Sequence, residues 1–262
     1  MQAIFNTKGK TMNVLVTGAS SGFGRAIAQE FGGKGHKVIA LARRKEQLES
    51  LAQEIPHCIT LPCDICDKDS LRQSIESLPQ DFKEIDVLVN NAGLALGLTS
   101  ADRCDFEDWE RMIEVNVKAL AFITRLILPQ MVARKSGHII TIGSIAGSYP
   151  YPGGNVYGAS KAFVRQFALG LRADLSGTNV RVSDIEPGLA GGSEFSLVRF
   201  KGDKSKADAL YQGANALTPQ DIAQAVYWVA TLPKHINVNT LEIMPTSQSF
   251  SALNVHKTTS NQ

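Results

Sequence analysis

In the stretch Tyr157-Gly158-Ala159-Ser160-Lys161 a phenol and an ammonium stand four residues apart. They open a segment whose apolar spacing predicts a helix running to about Leu175. At helical pitch, residues i and i+4 share one face, so both side chains can address one small volume. A phenol with a reference pKa of about 10 is ionised in only about one molecule in a thousand at neutral pH. A fixed ammonium beside it favours the phenolate, which predicts a lowered pKa and a tyrosine able to trade protons near pH 7. An ordinary helix surface can carry the same pair, so the rest of the chain has to decide between the two.

A hydroxyl is delivered to the same region by His138-Ile139-Ile140-Thr141-Ile142-Gly143-Ser144, a predicted strand that ends 13 residues before Tyr157. In an open parallel sheet ligands bind outside the strand ends, which makes Ser144 a candidate; a capping serine is the plainer alternative. Nearer the start, Val14-Leu15-Val16 runs into Thr17-Gly18-Ala19-Ser20-Ser21-Gly22-Phe23-Gly24 and then into residues at helical spacing. Strand, glycine turn and helix in that order make a phosphate cradle. Gly18 permits the sharp exit from the strand, Gly22 lets backbone N–H groups approach a pyrophosphate, and Gly24 lets helix and strand pack closely. The helix N-terminus adds partial positive charge.

The second predicted strand, Lys37 to Ala42, ends where the adenosine ribose of a bound dinucleotide would lie. A free 2′-hydroxyl would be met there by a carboxylate. Here Arg43-Arg44 follow, and two guanidiniums suit a 2′-phosphate, which points to NADP. A solvated basic pair at the start of the next helix would look identical. Cys63-Asp64-Ile65 follows the third strand, where an adenine ring would rest; Asp64 either accepts from the adenine amino group or caps the helix beginning near Lys68. Asp86 to Val89 is a fourth strand ending in Asn90-Asn91-Ala92-Gly93, small and amide residues suited to backbone lying against a cofactor, although tying adjacent strands together is equally open to Asn90.

One helix is expected from Phe106 to about Arg134, apolar nearly all round, kinked at Pro129 and suited to a subunit interface. Asn116 sits inside it among apolar neighbours and needs partners; bending the helix and holding a water are both open to it. A sixth strand, Asn179 to Ile185, closes at Glu186-Pro187-Gly188. The stretch of about 189–217 has little periodicity and carries Arg199, Lys201 and Lys204; a loop this long in a compact domain is usually functional, here as a substrate lid. A helix from Pro219 and a seventh strand at Leu241-Glu242-Ile243-Met244 complete the order.

The alternation of strands and helices without a linker predicts one α/β domain of the doubly wound Rossmann type, with a seven-stranded parallel sheet over residues 12–250. Residues 1–11 are expected to be a mobile extension, and 251–262 a tail too apolar to hang free. The chain has 262 residues, 44% apolar and 20% charged, with a net charge of +2, so neither nucleic acid nor an acidic membrane surface is expected as partner. No apolar run approaches the roughly 20 residues of a membrane span. The four cysteines include one CxxC, Cys63 to Cys66, without a second pair, and the histidines are scattered; no metal is expected, and the cytoplasm is the default location.

Taken together these motifs resemble those of the short-chain dehydrogenase/reductase superfamily over about residues 12–250. Within it the chain is most similar to the bacterial and yeast NADP-dependent 3-hydroxy acid dehydrogenases. The closer likeness is carried by Tyr149-Pro150-Tyr151-Pro152-Gly153-Gly154, Asp184-Ile185-Glu186-Pro187-Gly188, Val198-Arg199-Phe200-Lys201-Gly202 and Asn254-Val255-His256. The resemblance implies a hydride transfer between NADP(H) and serine, allo-threonine, 3-hydroxypropionate or malonic semialdehyde. It implies Tyr157 as general acid and base, and Lys161 lowering its pKa and binding the nicotinamide ribose. Ser144 would bond the reacting oxygen, and Asn116 would hold a relay water. Asn91, Gly93, Pro187 and Gly188 would join Gly18 to Gly24, Arg43, Arg44, Asp64 and Ile65 around the cofactor. Arg199 is the candidate for the substrate carboxylate, against a plain surface arginine. The family likeness also implies a homotetramer. The alternatives are a reductase of sulfoacetaldehyde or another small aldehyde or ketone, and a non-catalytic NADP-sensing protein; the latter would not need Ser144, Tyr157 and Lys161 together.

Overall fold

The computed structural model describes residues 11–250; the expected N-terminal extension, but for Thr11, and the tail 251–262 lie outside them. β1 (Asn13–Thr17), β2 (Lys37–Ala42), β3 (Cys58–Pro62), β4 (Val87–Asn90), β5 (Gly137–Ile142), β6 (Val180–Pro187) and β7 (Thr240–Ile243) form one sheet. The spatial order is β3-β2-β1-β4-β5-β6-β7 and every pairing is parallel. The order reverses between β1 and β4, and the crevice at that reversal, outside the strands' carboxyl ends, is where a doubly wound sheet takes its ligand.

The strands read as unbroken apolar runs because helices cover both faces. Val14 and Val16 point into a core shared with α1 (Gly22–Gly33), α2 (Lys45–Glu54) and α9 (Pro219–Thr231), where Ile27, Phe31, Leu48 and Val226 are buried. Leu15, between them, faces the opposite core with Ile123, Ile127 and Met131 of α5 (Leu120–Ala133) and Ala168 of α6 (Asn155–Asp174). α3 (Lys68–Glu76) closes that second layer through Leu71.

The single long helix expected from Phe106 is instead three segments. α4 (Phe106–Ile113) gives way to a π-helical turn over Glu114–Ala119, and α5 resumes. Pro129 lies inside α5 without ending it. The irregularity sits at Asn116, whose amide bonds away from its own helix, and such insertions are a common cause of π-bulges. The stretch after β6 is also more ordered than its sequence suggested. Two short helices, α7 (Phe195–Arg199) and α8 (Lys204–Ala209), fill it, and a parallel bridge between Ala190 and Leu217 pins its two ends together.

Candidate active site

The carboxyl ends of β1, β4, β5 and β6 surround a cleft of about 1020 Å³ roofed by α7. Its floor begins at the glycine turn. Gly18 and Gly22 have φ of +67° and +52°, which side chains rarely adopt, and a Cβ on Gly24 would lie 2.2 Å from the Gly18 carbonyl oxygen. Asn91 holds this turn against β4. Its Nδ2 donates to the Thr17 carbonyl at 2.8 Å, while Thr17 Oγ1 accepts from the backbone N–H of Asn91 and of Ala92, each at 2.9 Å. Asn90 ties β4 to α5, not to a strand, by donating to Thr124 Oγ1 at 2.8 Å.

Ala19, Ser20, Ser21, Phe23 and the tip of β2 continue the same wall. Arg43 is exposed on the cleft rim and makes no ion pair or hydrogen bond among the described residues. Arg44 is engaged. Its Nη2 donates to Ser20 Oγ at 3.1 Å and Ser21 Oγ at 2.7 Å, and pairs with Glu194 of the roof at 2.9 Å. Asp64 and Ile65 line the cleft after β3. Asp64 does not cap α3; that is done by Asp67, whose carboxylate accepts from the Ser70 N–H. Asp64 accepts instead from the Cys66 N–H at 2.9 Å and faces Arg111 at 3.7 Å. At the far end, Pro187 and Gly188 leave β6 beneath Gln248, whose Oε1 accepts from the Leu189 N–H at 2.7 Å. A long groove with a backbone cradle, a basic rim and small residues against its floor fits an extended dinucleotide.

The reactive side chains gather where the groove deepens. Tyr157 and Lys161, one turn apart on α6, are both buried, with the ammonium 5.9 Å from the phenol ring centroid. Lys161 Nζ donates to the Ile142 carbonyl at 2.7 Å, so it is anchored to the end of β5. Ser144 caps the turn after β5, accepting from the Ala146 N–H at 3.1 Å, the plainer of the two roles open to it, and its hydroxyl pulls the Tyr157 phenol pKa down.

The pKa values depart from the simple pair argument. Burial pushes the Tyr157 phenol up to about 12, against the pull of the Ser144 hydroxyl and of the Arg199 charge, with Tyr151 pushing it further up. The expected lowering by Lys161 is absent because the ammonium faces the Ile142 carbonyl instead of the phenol oxygen. Burial also brings Lys161 down to about 8. At neutral pH the phenol therefore holds its proton and the amine is largely charged.

Asn116 is buried, and its Oδ1 accepts from the Leu94 N–H at 2.9 Å. Its Nδ2 donates to the Leu94 carbonyl at 2.8 Å and to Ser160 Oγ at 3.0 Å. Both donors are spent on protein, so a water on this side chain has only the remaining Oδ1 lone pair. Gly93 separates it from Lys161: a Cβ there would lie 3.3 Å from Asn116 Oδ1 and 3.6 Å from Lys161 Nζ.

Arg199 is not a surface residue. It is 9% exposed, its guanidinium lies 5.5 Å from the Tyr157 ring centroid, and its Nη2 donates to the Tyr151 hydroxyl at 2.5 Å. Its Nε donates to the Gly97 carbonyl at 3.3 Å, and no carboxylate pairs with it among the described residues. Lys201, the next cation along the loop, is turned outward and held by Asp108 at 2.9 Å. Sequence reasoning missed Tyr151, Phe195 and Glu194. The aromatic loop was visible as composition, yet only the fold shows Tyr151 holding Arg199, Phe195 tilted against Tyr157 with ring centroids 5.8 Å apart, and Glu194 clasping Arg44.

This fold and this cluster define a dinucleotide-dependent proton-transfer site, and the chain belongs to the short chain dehydrogenase family, which residues 12–196 match. It is 58% identical to the NADP-dependent 3-hydroxy acid dehydrogenase of Salmonella typhi over 247 residues, 94% of this chain and 100% of that protein. It is 48% identical to the serine 3-dehydrogenase of Agrobacterium fabrum, over 93% of this chain and 98% of the other. Among solved structures, the closed form of a serine dehydrogenase complexed with NADP+ superposes with a TM-score of 0.91 at 56% identity, covering 94% of this chain and 99% of that one.

Proposed function

We propose that the protein is an NADP-dependent oxidoreductase of small 3-hydroxy acids, serine and its relatives among them. The observation that carries this reading is Arg199: a buried guanidinium without a carboxylate partner among the described residues, next to the Tyr157 ring. A buried charge left unpaired is costly, so the site favours a ligand that brings an anion. A carboxylate carbon two bonds from the reacting carbon would sit on Arg199 while the reacting carbon's oxygen lies between Ser144 and Tyr157.

Bound in the groove, the nicotinamide supplies the hydride acceptor or donor. The residues do the rest. Gly18, Ala19, Ser20, Ser21, Gly22, Phe23 and Gly24 cradle the pyrophosphate, Arg43 and Arg44 meet the 2′-phosphate, and Asp64 and Ile65 flank the adenine. Asn91, Gly93, Pro187 and Gly188 provide close backbone contact nearer the nicotinamide. Ser144 donates to the substrate oxygen, fixing it beside the phenol. In reduction Tyr157 Oη gives its proton to that oxygen; in oxidation it takes the proton back. Lys161 supplies positive charge beneath it and binds the ribose hydroxyls, and Asn116 holds the backbone against which Lys161 rests. Leu169 on α6 and Trp228 on α9 are exposed apolar side chains, surface that copies in a homotetramer would cover.

The test is kcat/KM with NADP+ for serine, allo-threonine and 3-hydroxypropionate against neutral secondary alcohols, in the native protein and in Arg199→Ala. Loss of the Arg199 charge beside the Tyr157 phenol should slow oxidation of both classes, and the acids should lose about 10- to 100-fold more than the neutral alcohols, the range for a charge-assisted hydrogen bond. Equal loss on both classes would move the anion site elsewhere.

A further inference from the structure

Three buried carboxylate oxygens lie unaccounted for by the chemistry above. Asp184 and Glu186, two residues apart on β6, are each 1% exposed, and Asp184 Oδ2 and both Glu186 oxygens make no hydrogen bond among the described residues, although Arg165 Nε stands 3.4 Å from Glu186 Oε1. Buried carboxylates without donors are strongly disfavoured. Two residues apart on one strand, the two carboxyls stand on the same face of β6, so one shared proton resolves the shortage: an acid on one residue donates to a carboxylate on the other.

Their place in the sheet connects the pair to the reactive cluster. Asp184 is in register with Thr141 on β5, two residues before Gly143, and accepts from Thr141 Oγ1 at 2.6 Å. A Cβ on Gly143 would lie 2.6 Å from Asp184 Oδ2, so glycine there leaves room for the carboxylate directly behind the strand end. That strand end is where the Ile142 carbonyl receives Lys161 Nζ and where Ser144 begins. Among the described residues, Asp184 is the one carboxylate whose charge acts on Lys161.

We propose that Asp184, sharing a proton with Glu186, is the counter-charge that keeps Lys161 an ammonium, a positioning residue for the proton-transfer pair. The ionised form falls to Asp184 because its other oxygen, Oδ1, accepts from Thr141 and the Lys161 charge acts on it. Burial raises its carboxyl, but Thr141, Lys161, Glu186 and the Gly143 backbone all pull it back down. Glu186 has less help. Burial and the Asp184 charge push it up to about 7, against the single pull of Arg165, whose Nε stands 3.4 Å away. Glu242 lies opposite Glu186 on β7 and pushes the same way, and the Tyr149 hydroxyl donates to Glu242 at 3.4 Å. No other titratable group faces the pair among the described residues.

The inference rests on the reading of Lys161 as a catalytic group for its consequence in turnover, but its test needs neither substrate nor cofactor. In apo protein labelled with ¹³C-lysine, the Lys161 side-chain signal, assigned by Lys161→Arg, is titrated by NMR. The native signal should titrate near pH 8. In Asp184→Asn its midpoint should fall by about one pH unit or more, the shift a near opposite charge imposes, and the alkaline limb of the reduction profile should fall with it. Glu186→Gln mimics the protonated partner and should leave Lys161 charged across neutral pH. An unmoved Lys161 titration in Asp184→Asn overturns the proposal, even where the melting temperature drops, because a purely structural role would do that. Should Asp184→Asn fail to fold, ¹³C-carboxyl titration of the native protein decides: a glutamate titrating near pH 7 upholds the shared proton, and carboxyls that all titrate below about 5 overturn it.

Discussion

Glu194→Gln should tighten NADPH and leave NADH alone. Arg44 Nη2 has two hydrogens, yet three acceptors gather on it: Ser20 Oγ at 3.1 Å, Ser21 Oγ at 2.7 Å and Glu194 at 2.9 Å. The two serines are neutral, so Glu194 brings the charge that a 2′-phosphate must contend with. Arg44, followed by Ser21, holds the Glu194 carboxyl below its usual range, which keeps it ionised at any working pH. The pair is about half exposed, at 39% and 52%, so its worth is that of a surface ion pair: about 0.2–1 kcal/mol once water and salt are counted. Removing the competing charge should therefore lower the NADPH dissociation constant by roughly 1.5- to 5-fold. Nicotinamide fluorescence titration at low salt measures it, and the advantage should shrink at about 1 M salt, where the Debye length is near 3 Å. Equal tightening of NADH, or weaker NADPH, would refute the competition and make Glu194 a partner of the bound cofactor.

Other substitutions probe the remaining parts of the site. Arg43→Ala removes a rim cation with no protein partner among the described residues; NADPH should weaken by about 10- to 100-fold, NADH little, and the melting temperature should not move. Tyr157→Phe should lower kcat by about 10²- to 10⁴-fold with NADPH binding nearly intact, by steady-state kinetics and titration, and substantial residual turnover would sink the mechanism. Gly24→Ala places a Cβ 2.2 Å from the Gly18 carbonyl oxygen and 2.6 Å from Asn91 Nδ2; thermal unfolding should show a loss of about 1–3 kcal/mol, and cofactor binding should fall with it.

The sheet and its cradle were legible because local chemistry determines them. Runs such as Val14-Leu15-Val16 are apolar throughout only when both faces are covered, and the glycines of the first turn mark backbone that side chains would block. The lid and the long helix were less legible for a common reason. Glu114–Ala119 departs from α-helical geometry because Asn116 bonds to Leu94 and Ser160, 22 and 44 residues away in sequence. The periodicity of Met112, Val115 and Ala119 carries no trace of those partners. Arg199 likewise reads as one more basic residue in a polar loop until the fold places Tyr151 and Gly97 around it.

The Tyr157–Lys161 pair shows where spacing stops informing chemistry. Four residues of helix place the two side chains on one face, but the sign of a pKa shift depends on what each head group meets. Lys161 spends its hydrogen bond on the Ile142 carbonyl, and burial dominates the phenol, so the apo site holds Tyr157 protonated. In the proposed mechanism that state is the one reduction requires, since the phenol must have a proton to give. Oxidation would require the opposite state, and the positive charges of Lys161 and Arg199 would be the means within the protein of reaching it. On this reading the reaction depends on Lys161 staying charged although burial brings its pKa to about 8. A carboxylate behind β5 is the least disruptive way to keep it so, because it adds negative charge without entering the cleft where the substrate anion must bind.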